Sequence, residues 1–364
     1  MARLLPVVIA LAIVAAACGD SSEIGASDTT TAGGAQVTTV TTLKEAPISA
    51  TLNSSGATFP KAFYEVAIAS YKQKQSGVTI NYAGGGSGTG RQNLQDGVVD
   101  FAGSDGIVAE ADKAKYKGEF LYVPTVAAPI TISYNLSGVT DLTLDADTIA
   151  KIFQRGITKW DDPALAALNP GVKLPPTDIT VAHRSDGSGT TENFTKYLVA
   201  AAPNTWTLKS GSTVEWPSAT QAGSGNAGVA QIVKSTAGAV GYVDLSDAKA
   251  SGLSFAKVKN KAGKVVAPTL DAASAALAGA QVNADLTYNP LNADGDGSYP
   301  ITAPTWILVY KNQADKAKGA AIKSFLKYVL TDGQALAKSV DFAGLPTSLQ
   351  QKALAQVENI IVPA

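Results

Sequence analysis

The residues best equipped for chemistry lie in one stretch, Val181-Ala182-His183-Arg184-Ser185-Asp186-Gly187-Ser188-Gly189-Thr190-Thr191. It offers a guanidinium, the hydroxyls of Ser188 and Thr190, and backbone N–H groups left open by glycines. A run with strand character, Ile179 to His183, leads into it. Phe194, Tyr197, Leu198 and Ala201 follow at helical spacing. The loop is therefore expected at the start of a helix, where unpaired amides and the helix dipole favour negative charge. Alone, such a cradle would serve sulfate, a carboxylate or a phosphoester, and it predicts half of an anion site.

The elements before it repeat one order: strand, small-residue loop, helix start. Ile48-Ser49-Ala50-Thr51-Leu52 precedes Asn53-Ser54-Ser55-Gly56-Ala57-Thr58-Phe59-Pro60, with Pro60 in the first helical turn and Thr58 or Phe59 at the cap. Phe63, Val66, Ala67, Ser70 and Tyr71 mark one helical face. Val78, Ile80 and Tyr82 alternate as a strand, and glycines 84–90 lead to a helical start at Arg91–Gln95. Val98–Ala102 repeats the pattern weakly before Gly103-Ser104-Asp105-Gly106. Such alternation predicts an α/β fold with a mostly parallel sheet and ligands at the carboxyl ends of its strands.

The glycine loop at 84–90 fits neither familiar nucleotide motif. A P-loop needs Lys after its last glycine and Arg91 stands there; the dinucleotide spacing finds Thr89 or Arg91 where glycine is required. Asn292-Ala293-Asp294-Gly295-Asp296-Gly297 looks like a calcium loop, but its final ligand position holds Ala303; it reads as a turn. Gly223-Ser224-Gly225-Asn226 also reads first as a turn, although it could lend amides to a cleft. Ile149, Ile152, Phe153 and Trp160 read as core, Thr305–Tyr310 as a buried strand, and 320–330 and 349–357 as closing helices.

Of 364 residues, 45% are hydrophobic and 16% charged, which suits a well-buried globular protein with room for two domains. A formal charge of −1 gives no bulk attraction for nucleic acid. Residues 1–18 read as a signal segment: Arg3, then an apolar run shorter than the roughly 20 residues of a spanning helix. Cys18, the single cysteine, stands at the acylated position of a bacterial lipobox, with Ala15 where Leu is usual. A plain secretory signal cut near Ala17 is the alternative. Residues 19–47, rich in Thr, Ser, Gly and Ala, read as a flexible tether.

From residue 48 to the end the chain resembles the extracytoplasmic phosphate-binding proteins that serve the phosphate ABC importer. The resemblance runs through Gly56-Ala57-Thr58-Phe59-Pro60, the Ser87 glycine loop, Asp100-Phe101 with Ser104-Asp105, and Ile152-Phe153 to Trp160-Asp161-Asp162. It continues through Asn169-Pro170-Gly171, Arg184 to Thr190, Gly238 to Val243, and Tyr299-Pro300-Ile301. It implies a type II periplasmic-binding-protein-like fold of two α/β lobes, 48–125 plus 303–364 and 126–302, joined by two hinge crossings around a ligand cleft. It also implies phosphate contacts from Thr58, Phe59, Ser87 and Asp105 on one wall and Arg184, Ser188, Gly189 and Thr190 on the other. Asp186 would hold Arg184 in place; His183 stands where a second Arg is commoner. No catalytic residue, metal or cofactor is implied. The implied partners are inorganic phosphate, the permease and ATPase subunits of an importer, and a membrane reached through a lipid anchor, with the protein a monomer on the outer face.

The chemistry of Asp105 sharpens this expectation. A carboxylate beside an anion repels it unless the ligand carries a proton to donate. Hydrogen phosphate and dihydrogen phosphate do; sulfate at neutral pH does not. The rival readings are a binding protein for another oxyanion, such as sulfate or molybdate, and a phosphatase. One histidine and one cysteine supply neither a nucleophile–base set nor a histidine-rich zinc site.

Overall fold

The computed structural model describes residues 47–364. The signal segment with Cys18, and the expected tether through residue 46, lie outside the described residues.

Three strand–loop–helix units open the fold: β1 (Ala50–Gly56) and α1 (Lys61–Lys74), β2 (Val78–Gly85) and α2 (Gly86–Asp96), β3 (Phe101–Ser104) and the short α3 (Glu110–Lys113). β1 pairs in parallel with both β2 and β3. A 15-residue strand, β4 (Phe120–Tyr134), follows, then β5 (Thr143–Leu144), α4 (Ala146–Phe153) and α5 (Pro163–Leu168). A second run of units comes next: β6 (Thr180–Arg184), α6 (Gly189–Ala201), β7 (Gln221–Gly223), α7 (Gly225–Ser235), β8 (Ala239–Asp244) and α8 (Leu245–Ala250). β6 pairs in parallel with β7 and β8. β9 (Ser254–Phe255), β10 (Lys257–Lys259), β11 (Val265–Val266) and α9 (Leu270–Ala278) lead to β12 (Thr302–Tyr310), α10 (Lys316–Leu330), a 3₁₀ segment (Asp332–Val340) and α11 (Thr347–Glu358).

The main sheet runs β2-β1-β3-β12-β4-β8-β6-β7, with β9 also on β4; β5, β10 and β11 form a smaller sheet. β4 is the seam between the two parallel sets. Its residues 120–129 pair antiparallel with β12, and residues 130–134 pair antiparallel with β8. From Tyr122 onward every β4 residue is buried, as expected of a strand covered on both faces. One strand runs through both Pro124 and Pro129. Pro124 stands where the β4–β12 register shifts, and Pro129 is next to the change of partner; a residue without an N–H is tolerated at such irregular positions.

Three local expectations are corrected. Helix α2 begins at Gly86 rather than Arg91, because Gly85 and Gly86 turn the chain at φ +118° and +90° and enter the helix directly. Pro60 caps α1 instead of occupying its first turn, with no side-chain cap bond; the Thr58 hydroxyl is engaged elsewhere. β3 starts at Phe101, since Val98 is exposed and has no sheet surface to cover it. The core otherwise follows the apolar pattern: Phe63, Ala67, Tyr71, Ile149, Ile152, Phe153 and Trp160 are buried.

Candidate anion-binding site

Six strand ends converge. The segments that follow β1, β2 and β3 carry Thr58, Ser87 at the start of α2, and Asp105; those that follow β6, β7 and β8 carry residues 185–188, Asn226 at the start of α7, and α8. Parallel pairing within each set sends these carboxyl ends to one side. The two sets meet there: Gly88 N–H donates to Gly187 O at 2.8 Å. Glycines permit this approach. A Cβ on Gly86 would lie 2.2 Å from Asp186 Oδ2, and one on Gly189 would lie 2.3 Å from Ser87 Oγ and 2.7 Å from Asp105 Cβ.

Arg184 leaves the end of β6 almost fully buried. Its backbone N–H donates to Tyr242 Oη at 3.1 Å, and Tyr242 stacks on Phe194 at 4.5 Å. The guanidinium is gripped at both ends by Asp186: Nε donates to Oδ1 at 2.8 Å, and Nη2 donates to Oδ2. Gly225 N–H also donates to Asp186 Oδ1, at 3.0 Å. Burial pushes the Asp186 carboxyl up, but the Arg184 bonds and charge and the Gly225 N–H outweigh it and hold it below the usual carboxylate range. The remaining arm, Nη1, reaches Thr190 Oγ1 at 3.5 Å.

Ser188 caps α6, its Oγ accepting from Thr191 N–H at 3.1 Å. At such a terminus the N–H groups of the first residues, Gly189 and Thr190, have no intrahelical acceptor. Phe59 turns its ring into the core against Phe342, at 5.7 Å, so only its backbone is available to a ligand. His183 stacks on Trp216 at 4.9 Å and bonds Thr220 Oγ1 at 3.0 Å, a packing role.

Asp105 faces this donor set with 2% of its surface exposed. Its N–H donates to Ser87 Oγ at 3.1 Å, and Ser87 Oγ lies 3.4 Å from Oδ2. Thr305 Oγ1 donates to Oδ1 at 2.7 Å. Burial pushes the carboxyl up; the Thr305 bond, the Arg184 charge, the Ser87 bond and the Arg91 charge offset this in part and leave it at about 7.

The structure thus brings together Thr58, Ser87, Asp105, Arg184, Ser188, Gly189 and Thr190, with the Phe59 backbone beside them. It adds further residues, one of them from the turn expected at 223–226, which could lend amides to the cleft. Asn226 Nδ2 donates to Thr58 Oγ1 at 3.3 Å and to Thr190 Oγ1 at 3.2 Å. Thr305 was visible only as a hydroxyl within a buried strand. Asn193 Nδ2 donates to Asp105 O and Gly189 O, at 2.6 and 2.9 Å. Arg91 Nη1 meets Glu192 Oε2 at 3.2 Å, from α2 to α6. A pocket of about 290 Å³ opens beside Thr58 and Asn226, with Lys61, Glu65 and Asp247 at its walls. Among the described residues no cluster of His, Cys, Asp and Glu could hold a metal ion.

Residues 41–333 match the family described as the PBP superfamily domain. The phosphate-binding protein PstS of Pasteurella multocida is 36% identical over 312 residues, spanning 84% of this chain and 89% of the relative. The protein of the same name from Methanocaldococcus jannaschii is 36% identical over 342 residues, spanning 87% and 88%. Among solved structures, a high-affinity periplasmic phosphate-binding protein (PfluDING) bound with phosphate shares the fold at a TM-score of 0.71 and 22% identity, over 86% of this chain and 100% of that one. A phosphate-binding protein from Stenotrophomonas maltophilia does so at 0.66 and 21%, over 84% and 94%. The two converging parallel sets, and relatives matched over nearly their full length, lead to one assignment: the chain belongs to the PstS phosphate-binding proteins of the PBP superfamily.

Proposed function

We propose that the chain binds inorganic phosphate and delivers it to an ABC importer, holding it between Thr58, the Phe59 backbone, Ser87 and Asp105 on one side and Arg184, Ser188, Gly189 and Thr190 on the other. The observation that carries this reading is Asp105: a buried carboxylate beside Arg184 and a helix N-terminus. A ligand that is both anion and proton donor satisfies both requirements. Phosphate is such a ligand near neutral pH, and sulfate is not. Hydroxyls, amides and one Asp186-neutralised guanidinium hold the charge; hydrogen bonds to charged groups contribute about 1.5–3 kcal/mol each.

Lobes 48–125 plus 303–364 and 126–302 would close on the ligand by a hinge motion. The change of partner along β4 after Pro129, from β12 to β8, and the pairing of β12 with β4 from Thr302 onward support two crossings between the lobes. The implied site is outside the cytoplasmic membrane, with Cys18 as a lipid anchor and the protein a monomer. Among the described residues no helix is long and apolar enough to cross a membrane. Retention of radiolabelled phosphate by the purified protein, with and without excess sulfate, tests the reading. At pH 8.5 saturable retention resistant to sulfate is expected; efficient sulfate competition at that pH would transfer the site to another oxyanion.

A further inference from the structure

Two of the proposed ligand hydroxyls, those of Thr58 and Thr190, share one neighbour, Asn226. Asn226 is fully buried at the start of α7. Its backbone N–H donates to Thr58 Oγ1 at 3.2 Å, and its Nδ2 donates to the same oxygen and to Thr190 Oγ1. Thr58 thereby caps α7 from another element, since the helix's own N-cap, Ser224, makes no side-chain bond. Arg184 Nη1 adds a second donor at Thr190 Oγ1.

A hydroxyl has two acceptor lone pairs and a single proton. Both lone pairs of Thr58 Oγ1 face N–H donors of Asn226, one from the backbone and one from the side-chain amide, and both of Thr190 Oγ1 face the Asn226 amide and Arg184. Neither hydroxyl is left a vacant acceptor. Each proton must then point at a separate acceptor. No protein acceptor for either is present among the described hydrogen bonds, so the ligand oxygens are the remaining partners.

We infer that Asn226 is a positioning residue that fixes Thr58 and Thr190 as hydrogen-bond donors to the bound anion, from both walls of the cleft at once. The inference rests on the phosphate reading. It adds that donor direction is set by an amide outside the ligand contacts. Asn226 Oδ1 is buried without a hydrogen-bond partner, so the amide engages the two hydroxyls through Nδ2 alone.

A double-mutant cycle read by calorimetry with inorganic phosphate tests this. Asn226→Ala should weaken binding about 30-fold in the native background, and less than about 3-fold where Thr58 and Thr190 are both Val. Asn226→Asp, isosteric and less exposed to folding failure, should weaken binding more at pH 8 than at pH 5, where a protonated carboxyl can donate again. Equal losses in both backgrounds, or an Asn226→Asp loss independent of pH, would overturn the inference while leaving the site intact. If Thr58→Val/Thr190→Val itself binds phosphate like the native protein, the site reading fails instead.

Discussion

Thr305 donates its hydroxyl to Asp105 Oδ1 at 2.7 Å, from a strand 200 positions away in sequence. It does so at the place where the β12–β4 register shifts, an irregularity that re-aims a side chain. The bond stabilises the carboxylate form against burial, which alone pushes Asp105 up; the balance stands at about 7. Above that value Asp105 accepts a proton from the ligand. Below it, the protonated acid donates and tolerates an unprotonated oxyanion.

Sulfate competition should therefore be weak at pH 8.5 and grow as pH falls through about 7. Thr305→Val removes a bond that lowers the Asp105 value, so the onset of competition should move to higher pH. Displacement of labelled phosphate by sulfate, measured from pH 5.5 to 9, reads both. An unchanged onset in Thr305→Val would show that this hydroxyl does not tune Asp105.

Gly189→Ala should block closure rather than folding. Its Cβ would meet Ser87 Oγ and Asp105 Cβ well inside van der Waals distance, across the cleft. Affinity should fall about 100-fold, about 2.8 kcal/mol at 1.4 kcal/mol per decade. Small-angle scattering should show no compaction on adding phosphate, with the melting temperature of the ligand-free protein little changed. Normal compaction would refute the contact as a feature of the bound state.

The Arg91–Glu192 pair joins α2 to α6 with its side chains 16% and 9% exposed. Little solvent screens it, and it forms between the two parallel sets. Arg91→Ala should weaken phosphate binding about 10-fold, chiefly through faster dissociation. Glu192 keeps Lys196 at 2.6 Å, so the loss stays short of that for an unpaired buried charge. Stopped-flow release with a phosphate trap checks this; a change confined to the association rate would contradict it.

Residues that act within their own segment were legible in the sequence. Arg184, Asp186 and Ser188 lie in one loop, and their spacing places a guanidinium, its partner and a cap before a helix. The glycine loop is legible as an approach to a helix, but its positive-φ turn is part of the helix start, because Gly85 and Gly86 adopt backbone angles that propensity does not reveal. The Thr305 hydroxyl and the Asn226 side chain are not legible as site groups for a different reason. Their roles depend on sheet order, which brings β12 beside β3 and α7 opposite the β1 loop. A threonine in an apolar strand and an asparagine in a glycine turn have commoner uses, and only the long-range pairing distinguishes these two.

Asp186→Asn separates charge from geometry in the guanidinium clamp. Asn can accept one of the two Arg184 bonds but cannot balance its charge, so the side chain loses its fixed orientation. Phosphate affinity should fall about 10-fold and become more sensitive to salt than in the native protein. Titrations at low and high ionic strength measure it; an unchanged salt dependence would mean that Asp186 does not set the charge seen by the ligand.

The central claim is that Asp105 makes the site specific for a protonated oxyanion. The most direct measurement is the ratio of sulfate to phosphate affinity, by calorimetry at pH 8, in the native protein and in Asp105→Asn. Sulfate binding should be too weak to measure in the native protein and gain at least about 100-fold in the variant, as an amide donates where the carboxylate repelled. Equal discrimination in the two proteins would contradict it.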